Sequence, residues 1–108
     1  MNPNRITLVA FMHAQPGTEE VLLTQIDSLV AQTRVEPGCI NYDFHQHKTN
    51  SSLFVFYENF ADQAAFDFHF TQPYTQGWIK FAEKYGARFD IQFYTMISKP
   101  GVGAGSNR

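Results

Sequence analysis

Apolar residues alternate through Ile6–His13, in a run rich in β-branched and large side chains that predicts a strand. Gln15-Pro16-Gly17-Thr18 breaks the pattern. Thr18 stands as a candidate helix N-cap, and Glu19 and Glu20 follow in the first turn, where the helix dipole favours acids. Leu22, Leu23, Ile26, Leu29, Val30 and Thr33 then recur at three- and four-residue steps, which predicts one amphipathic helix. Glu36-Pro37-Gly38 ends it, because proline cannot continue the ladder and glycine supplies turn geometry.

Residues 40–47 predict a second strand, with Ile40, Tyr42 and Phe44 on one face and Asn41, Asp43, His45 and His47 on the other. A polar hairpin loop, 48–52, leads to a third strand over Leu53–Phe60. That strand is apolar on both sides: Leu53, Val55 and Tyr57 on one, Phe54, Phe56 and Phe60 on the other. Asp62 is a good N-cap for a second helix, in which Ala65, Phe66, His69 and Phe70 share a stripe. Pro73 interrupts it. Helical spacing resumes through Tyr74, Gly77, Trp78, Phe81, Ala82 and Tyr85 until Gly86 stops it. Residues 89–98 predict the last strand, with Phe89, Ile91, Phe93 and Thr95 opposite Asp90, Gln92, Tyr94 and Met96.

The order βαββαβ is the ferredoxin-like α+β arrangement, an antiparallel sheet with two helices on one face. The helices leave the other face bare, and a third strand greasy on both sides predicts that something covers it. A homodimer closing two sheets face to face would do so.

With 108 residues the chain is expected to form one domain, 1–98, followed by a flexible glycine-rich tail, 99–108. A net charge of -2 and the absence of a basic stripe argue against nucleic acid as a partner. No stretch approaches the ~20 apolar residues of a membrane helix, and the first residues lack a secretory pattern. A single cysteine, Cys39, fits a reducing compartment, so a cytoplasmic protein is expected. Cys39 follows a helix end rather than a helix start, so nothing lowers its pKa and it reads as inert. Aromatic residues make up 16% of the chain, 11 of them Phe, which suits either a dense core or a lined pocket.

Charged catalytic clusters, phosphate loops and cysteine pairs are missing, so proton chemistry among aromatic rings is the best candidate. His69 leads, as an imidazole on an apolar helix face that can take a proton in a dry pocket. The competing reading is a core histidine satisfied by a carbonyl or by Glu58. Glu58 sits on an apolar strand, where a carboxylate needs a partner. It either pairs with Arg88 or Arg5, caps a helix, or orients His69 and polarises a substrate hydroxyl. Tyr74 and Trp78, four apart, would stack on an aromatic ligand. Asn41 and His45 are candidate hydrogen-bonding groups of the cavity wall. His45, His47 and Asp43 could seed a metal site, but with His47 solvated two ligands are too few, so no metal is expected. Phe68 points away from the Phe66 stripe and is exposed or covered by a partner.

Three segments carry a family resemblance: residues 36–43 (EPGCINYD), the Phe56-Tyr57-Glu58-Asn59-Phe60 strand end, and Ala65 through His69 to Thr71-Gln72-Pro73-Tyr74. Over residues 6–98 the chain resembles the antibiotic-biosynthesis monooxygenase family of dimeric α+β barrels, which includes quinol monooxygenases and an isomerase-like branch acting on a sugar phosphate. The resemblance implies a cofactor-independent monooxygenase that oxidises a small quinol-like or phenolic substrate with O2, without flavin or metal. The haem-degrading branch uses an Asn–Trp–His set, whereas here Trp78 follows His69 and Phe60 holds the strand-end position, which argues against haem. Two alternatives stay open: a cofactor-free isomerase or lyase on a small hydroxy-ketone, and a non-catalytic dimeric ligand-binding module.

Overall fold

A computed structural model describes residues 4–99. The elements are β1 (Ile6–His13), α1 (Glu19–Leu23), α2 (Ile26–Arg34), β2 (Cys39–Gln46), β3 (Leu53–Phe60), α3 (Gln63–Thr71), α4 (Pro73–Lys84) and β4 (Arg88–Tyr94). The strands form one antiparallel sheet in the order β2-β3-β1-β4. This is the ferredoxin-like α+β arrangement, with each of its two helical segments split in two.

Strand alternation decides which side chains meet the helices. Leu8, Ala10 and Met12 of β1 and Phe54, Phe56, Glu58 and Phe60 of β3 are buried on that side. Leu22, Ile26, Leu29, Trp78 and Ala82 close over them from the helices. Burying a large apolar side chain contributes about 1.5–3 kcal/mol, and Phe54, Phe60, Met12 and Leu22 are almost wholly shielded from water. On the opposite side Val9, Phe11, Leu53 and Val55 are only half-buried, and Tyr57 is exposed.

The helix breaks have local causes. Thr24 donates its hydroxyl to the Val21 carbonyl and ends α1, where the apolar spacing predicts a continuous helix. Leu23 is consequently exposed rather than part of the buried stripe. Thr18 occupies the N-cap position, but its hydroxyl donates to the Gln15 carbonyl instead of capping α1. Asp62 does cap α3, accepting from the Ala65 amide at 2.8 Å. Gln72 is extended, at φ −67 and ψ 143, and Pro73 restarts the helix at its first turn. Gly86, at φ 81, closes α4 with two terminal backbone bonds, Gly86 N–H to the Glu83 carbonyl and Ala87 N–H to the Ala82 carbonyl.

Two strand expectations shift. β4 ends at Tyr94, paired with Thr7, because β1 begins at Ile6 and leaves the residues beyond Thr95 without a neighbour. Ile40 is half-exposed, since β2 carries one extra residue against β3 between Cys39 and Asn41, and the bulge takes Ile40 out of the apolar face. Of the expected tail, residues 100–108 lie outside the described residues.

Candidate functional site

The site begins with a close approach of backbone. A Cβ placed on Gly38 would lie 2.2 Å from the Cβ of Ala65, so the turn before β2 can touch α3 only because Gly38 has no side chain. The sequence pointed to Gly38 as a turn residue; its role is this contact. The Ala61 amide fastens the same turn by donating to the Gly38 carbonyl at 2.8 Å. Glu36, two residues earlier, is thereby brought to His69, one turn after Ala65.

His69 is 3% exposed, and its Nδ1 lies 2.9 Å from Glu36 Oε2. The Tyr74 hydroxyl donates to the same carboxylate oxygen. On the other edge of the ring, Nε2 stands 3.9 Å from Glu58 Oε1. Phe60 stacks on the imidazole with ring centroids 5.0 Å apart, and Tyr42 tilts against it at 5.2 Å. The imidazole is held between two buried carboxylates in an aromatic collar.

The charges are unequal in consequence. Burial, and then the negative charge of Glu36, push the Glu58 carboxyl up to about 8. Burial, followed by the hydrogen bond to Glu36 and its charge, raises the Tyr74 hydroxyl and keeps it a donor. Glu36 accepts from Tyr74, and an acceptor at Oε2 favours the His69 tautomer with its proton on Nδ1. That leaves the Nε2 lone pair directed to the side of Glu58.

Nε2 and Glu58 border a cavity of about 220 Å3 between the sheet and the α3–α4 pair. Phe56, Phe66, Trp78, Ile79 and Phe89 are among its apolar lining, as are Phe70 and Ile91, both exposed. The polar or charged side chains in the wall, besides the phenol of Tyr42, are Glu58, His69, Thr75 and Glu83. Among the described residues, no lysine or arginine contributes to it.

Of the side chains singled out in the sequence, His69, Glu58 and Trp78 meet at this cavity. Tyr74 does not; it stands behind the imidazole, on Glu36. Asn41 and His45 fall on the helix-free side of the sheet, because they alternate with Tyr42, which faces the helices opposite Glu58. Asn41 there accepts from Asn59 Nδ2 at 2.8 Å and donates to Asp43, which pairs with Arg34 at 2.9 Å. Arg5 donates to Asn59 rather than meeting Glu58, and Arg88 pairs with His13 in the sheet register, at the far end of β1 from Glu58. His45 is exposed, and His47 organises the hairpin by accepting the Thr49 and Asn50 amides at Nδ1. The Cys39 thiol is pushed up to about 11 by burial and by the charges of Glu36 and Glu58, in keeping with an inert thiol.

Two side chains of the site were not foreseen. Glu36 read as part of a helix-ending turn and of a segment that carries the family resemblance, with no role in the site, and a carboxylate placed before Pro-Gly carries no periodic signal. Thr75 read as one more residue of a helix. In the structure it lines the cavity, and its hydroxyl, buried, has no partner.

The family profile described as antibiotic biosynthesis monooxygenase matches residues 5–80. A Bacillus subtilis protein named "Putative monooxygenase YcnE" is 32% identical over 87 residues, covering 80% of this chain and 92% of that protein. An uncharacterized Synechocystis protein is 29% identical over 75 residues, covering 69% of this chain; the match spans about half, 51%, of that longer relative. The crystal structure of PA3566 from Pseudomonas aeruginosa superimposes with a TM-score of 0.74 at 30% identity, covering 89% of this chain and 99% of that one.

Proposed function

The chain belongs to the antibiotic biosynthesis monooxygenase family, and from that premise we propose that it is a cofactor-independent monooxygenase for a small phenolic or quinol-like substrate. The observation that carries the proposal is the imidazole of His69, anchored at Nδ1 by Glu36 and open at Nε2 to an apolar cavity. In the proposed reaction Nε2 takes the proton of a ring hydroxyl, and the electron-rich phenolate passes an electron to O2. The radical pair recombines at a ring carbon within the dry cavity. One oxygen atom of O2 becomes a carbonyl at that carbon, and the other leaves as water with the one hydrogen of that carbon and the proton taken from the ring hydroxyl. The ring supplies all the electrons, so no further reductant enters. Glu36 stabilises the imidazolium formed, and Glu58, held largely neutral near pH 7 by its raised pKa, can donate to a substrate oxygen.

One observation favours a second reading. Glu58 and His69 form an acid and a base on one cavity, which would also serve an isomerase moving a proton on a small hydroxy-ketone without O2. A phosphorylated substrate fits poorly, since the wall offers two carboxylates and no cation.

Copies of the chain are further proposed to pair through the helix-free sheet face, in a cytoplasmic setting. The half-buried Val9, Phe11, Leu53 and Val55 and the exposed Tyr57 and Tyr94 support this, because an apolar stretch of that kind is costly in water. Light scattering at micromolar concentration checks it, a stable monomer being the adverse result. For the reaction, oxygen uptake with a panel of quinols and phenols is the test, comparing the wild type with His69→Ala. Uptake that depends on His69 supports the oxygenase. Turnover of a hydroxy-ketone that proceeds equally under nitrogen supports the second reading.

A further inference from the structure

Thr75 has no part in the chemistry proposed above, yet it is a hydroxyl built into the cavity wall. It is 4% exposed, and its Oγ1 has no hydrogen-bond partner. Other threonines of the helical segments satisfy themselves on a carbonyl of an earlier turn: Thr24 on Val21, Thr33 on Leu29 and Thr71 on Asp67. Thr75 makes neither kind of bond. The carbonyl four residues back belongs to Thr71, in the preceding helix, beyond the extended backbone of Gln72, and the Gln72 carbonyl three back accepts from the Gln76 amide. A valine would fill the same volume without a stranded hydroxyl.

Resting on the reading of this cavity as a site for a small aromatic ring, we propose that Thr75 Oγ1 anchors the ligand. It donates to a second ring oxygen, distinct from the hydroxyl that meets His69 and Glu58, and so selects rings with two oxygen substituents over rings with one. The break after α3 places Thr75 six residues from His69 and Trp78 one turn further on, so hydroxyl, imidazole and indole all border the same space. The second oxygen is a neutral one, a hydroxyl, methoxy or carbonyl group. A carboxylate or phosphate there would face Glu58 and Glu83 with no cation in the wall.

Matched probes read this without turnover. The three methoxyphenol isomers and the three ethylphenols of the same shape differ by one oxygen, and their affinities can be measured anaerobically by NMR titration. The wild type is expected to bind one methoxyphenol about 3–10-fold more tightly than its ethyl counterpart, the range a single net hydrogen bond supplies. Thr75→Val should abolish that preference while leaving the ethylphenol affinity and the melting temperature unimpaired, and Thr75→Ser should retain it. An unchanged preference in Thr75→Val, or an equal loss of affinity for both probes, overturns the anchoring role and leaves the aromatic site standing. Absence of binding by every probe up to its solubility overturns the aromatic site and Thr75 with it.

Discussion

Both faces of the sheet bury polar side chains, and they treat them in opposite ways. On the helix-free side Asn59 is fully buried, but Arg5 and Thr7 donate to its oxygen and Asn41 accepts from its amide. Asn41 passes the chain to Asp43, and Asp43 to Arg34, so charge meets countercharge. On the helix-covered side two carboxylates flank one imidazole, Glu58 is forced up to about 8, and Glu36 Oε1 and Thr75 Oγ1 lack partners. A closed network of the first kind holds a fold together. Crowded carboxyl groups and stranded polar atoms lower stability, and such groups persist where a ligand or a proton completes them.

Removing a group from each side sharpens that contrast. His69→Ala should lower turnover of any phenol or quinol that supports oxygen uptake by about 10²-fold or more, the usual range for a lost general base. Its melting temperature should stay within a few degrees of the wild type. Asn59→Ala should do the reverse. Stranding the hydrogen-bond partners Arg5, Thr7 and Asn41 should cost about 2–4 kcal/mol in urea unfolding. The cavity should still bind its ring probes wherever the variant remains folded. Equal effects of both variants on stability would erase the distinction between the two faces.

A smaller effect tests the electrostatics. Because burial and the charge of Glu36 raise the folded-state pKa of Glu58 to about 8 from the ordinary 4.5, its protonated form favours folding. That contribution is complete below the unfolded pKa and is lost as pH rises through about 8. Glu58→Gln should therefore flatten the decline of stability across that window and raise stability at pH 9, by about 1–3 kcal/mol. A variant that unfolds more readily at pH 9 than the wild type would show that ionised Glu58 is a favourable partner of His69. The smallest change is Tyr74→Phe, which removes one donor from Glu36. It should shift stability by only about 1 kcal/mol but alter the His69 tautomer balance, read from ring 15N shifts.

The parts of this molecule that alternation controls were legible in the sequence. Asp62 caps α3, Pro73 divides the second helical segment, and His69 faces the cavity, each by rules that act within a few residues. The same parity already placed Asn41 and His45 outside, since Tyr42 and Phe44 supplied the inward face; their polar chemistry made them attractive and their position did not. The Glu36–His69 pair was out of reach for a different reason. It joins residues 33 apart through the contact of Gly38 with Ala65, and no periodicity records such a meeting. Nor does spacing reveal that Thr75 loses its carbonyl at the Gln72 break.

Gly38 and Ala65 work as a spacer gauge. Carbon atoms settle about 3.5–4.0 Å apart, so a methyl on Gly38, which would lie 2.2 Å from the Ala65 methyl, would drive α3 back by roughly 1.5 Å. A hydrogen bond tolerates only about a third of that. Gly38→Ala would thus detune the imidazole without touching a polar atom, whereas pairing it with Ala65→Gly would move the methyl across the gap and keep the spacing. In this fold the tolerance of the chemistry is set by two of the least reactive residues in the chain. A search for functional positions that weighs only acids, bases and nucleophiles would pass over both.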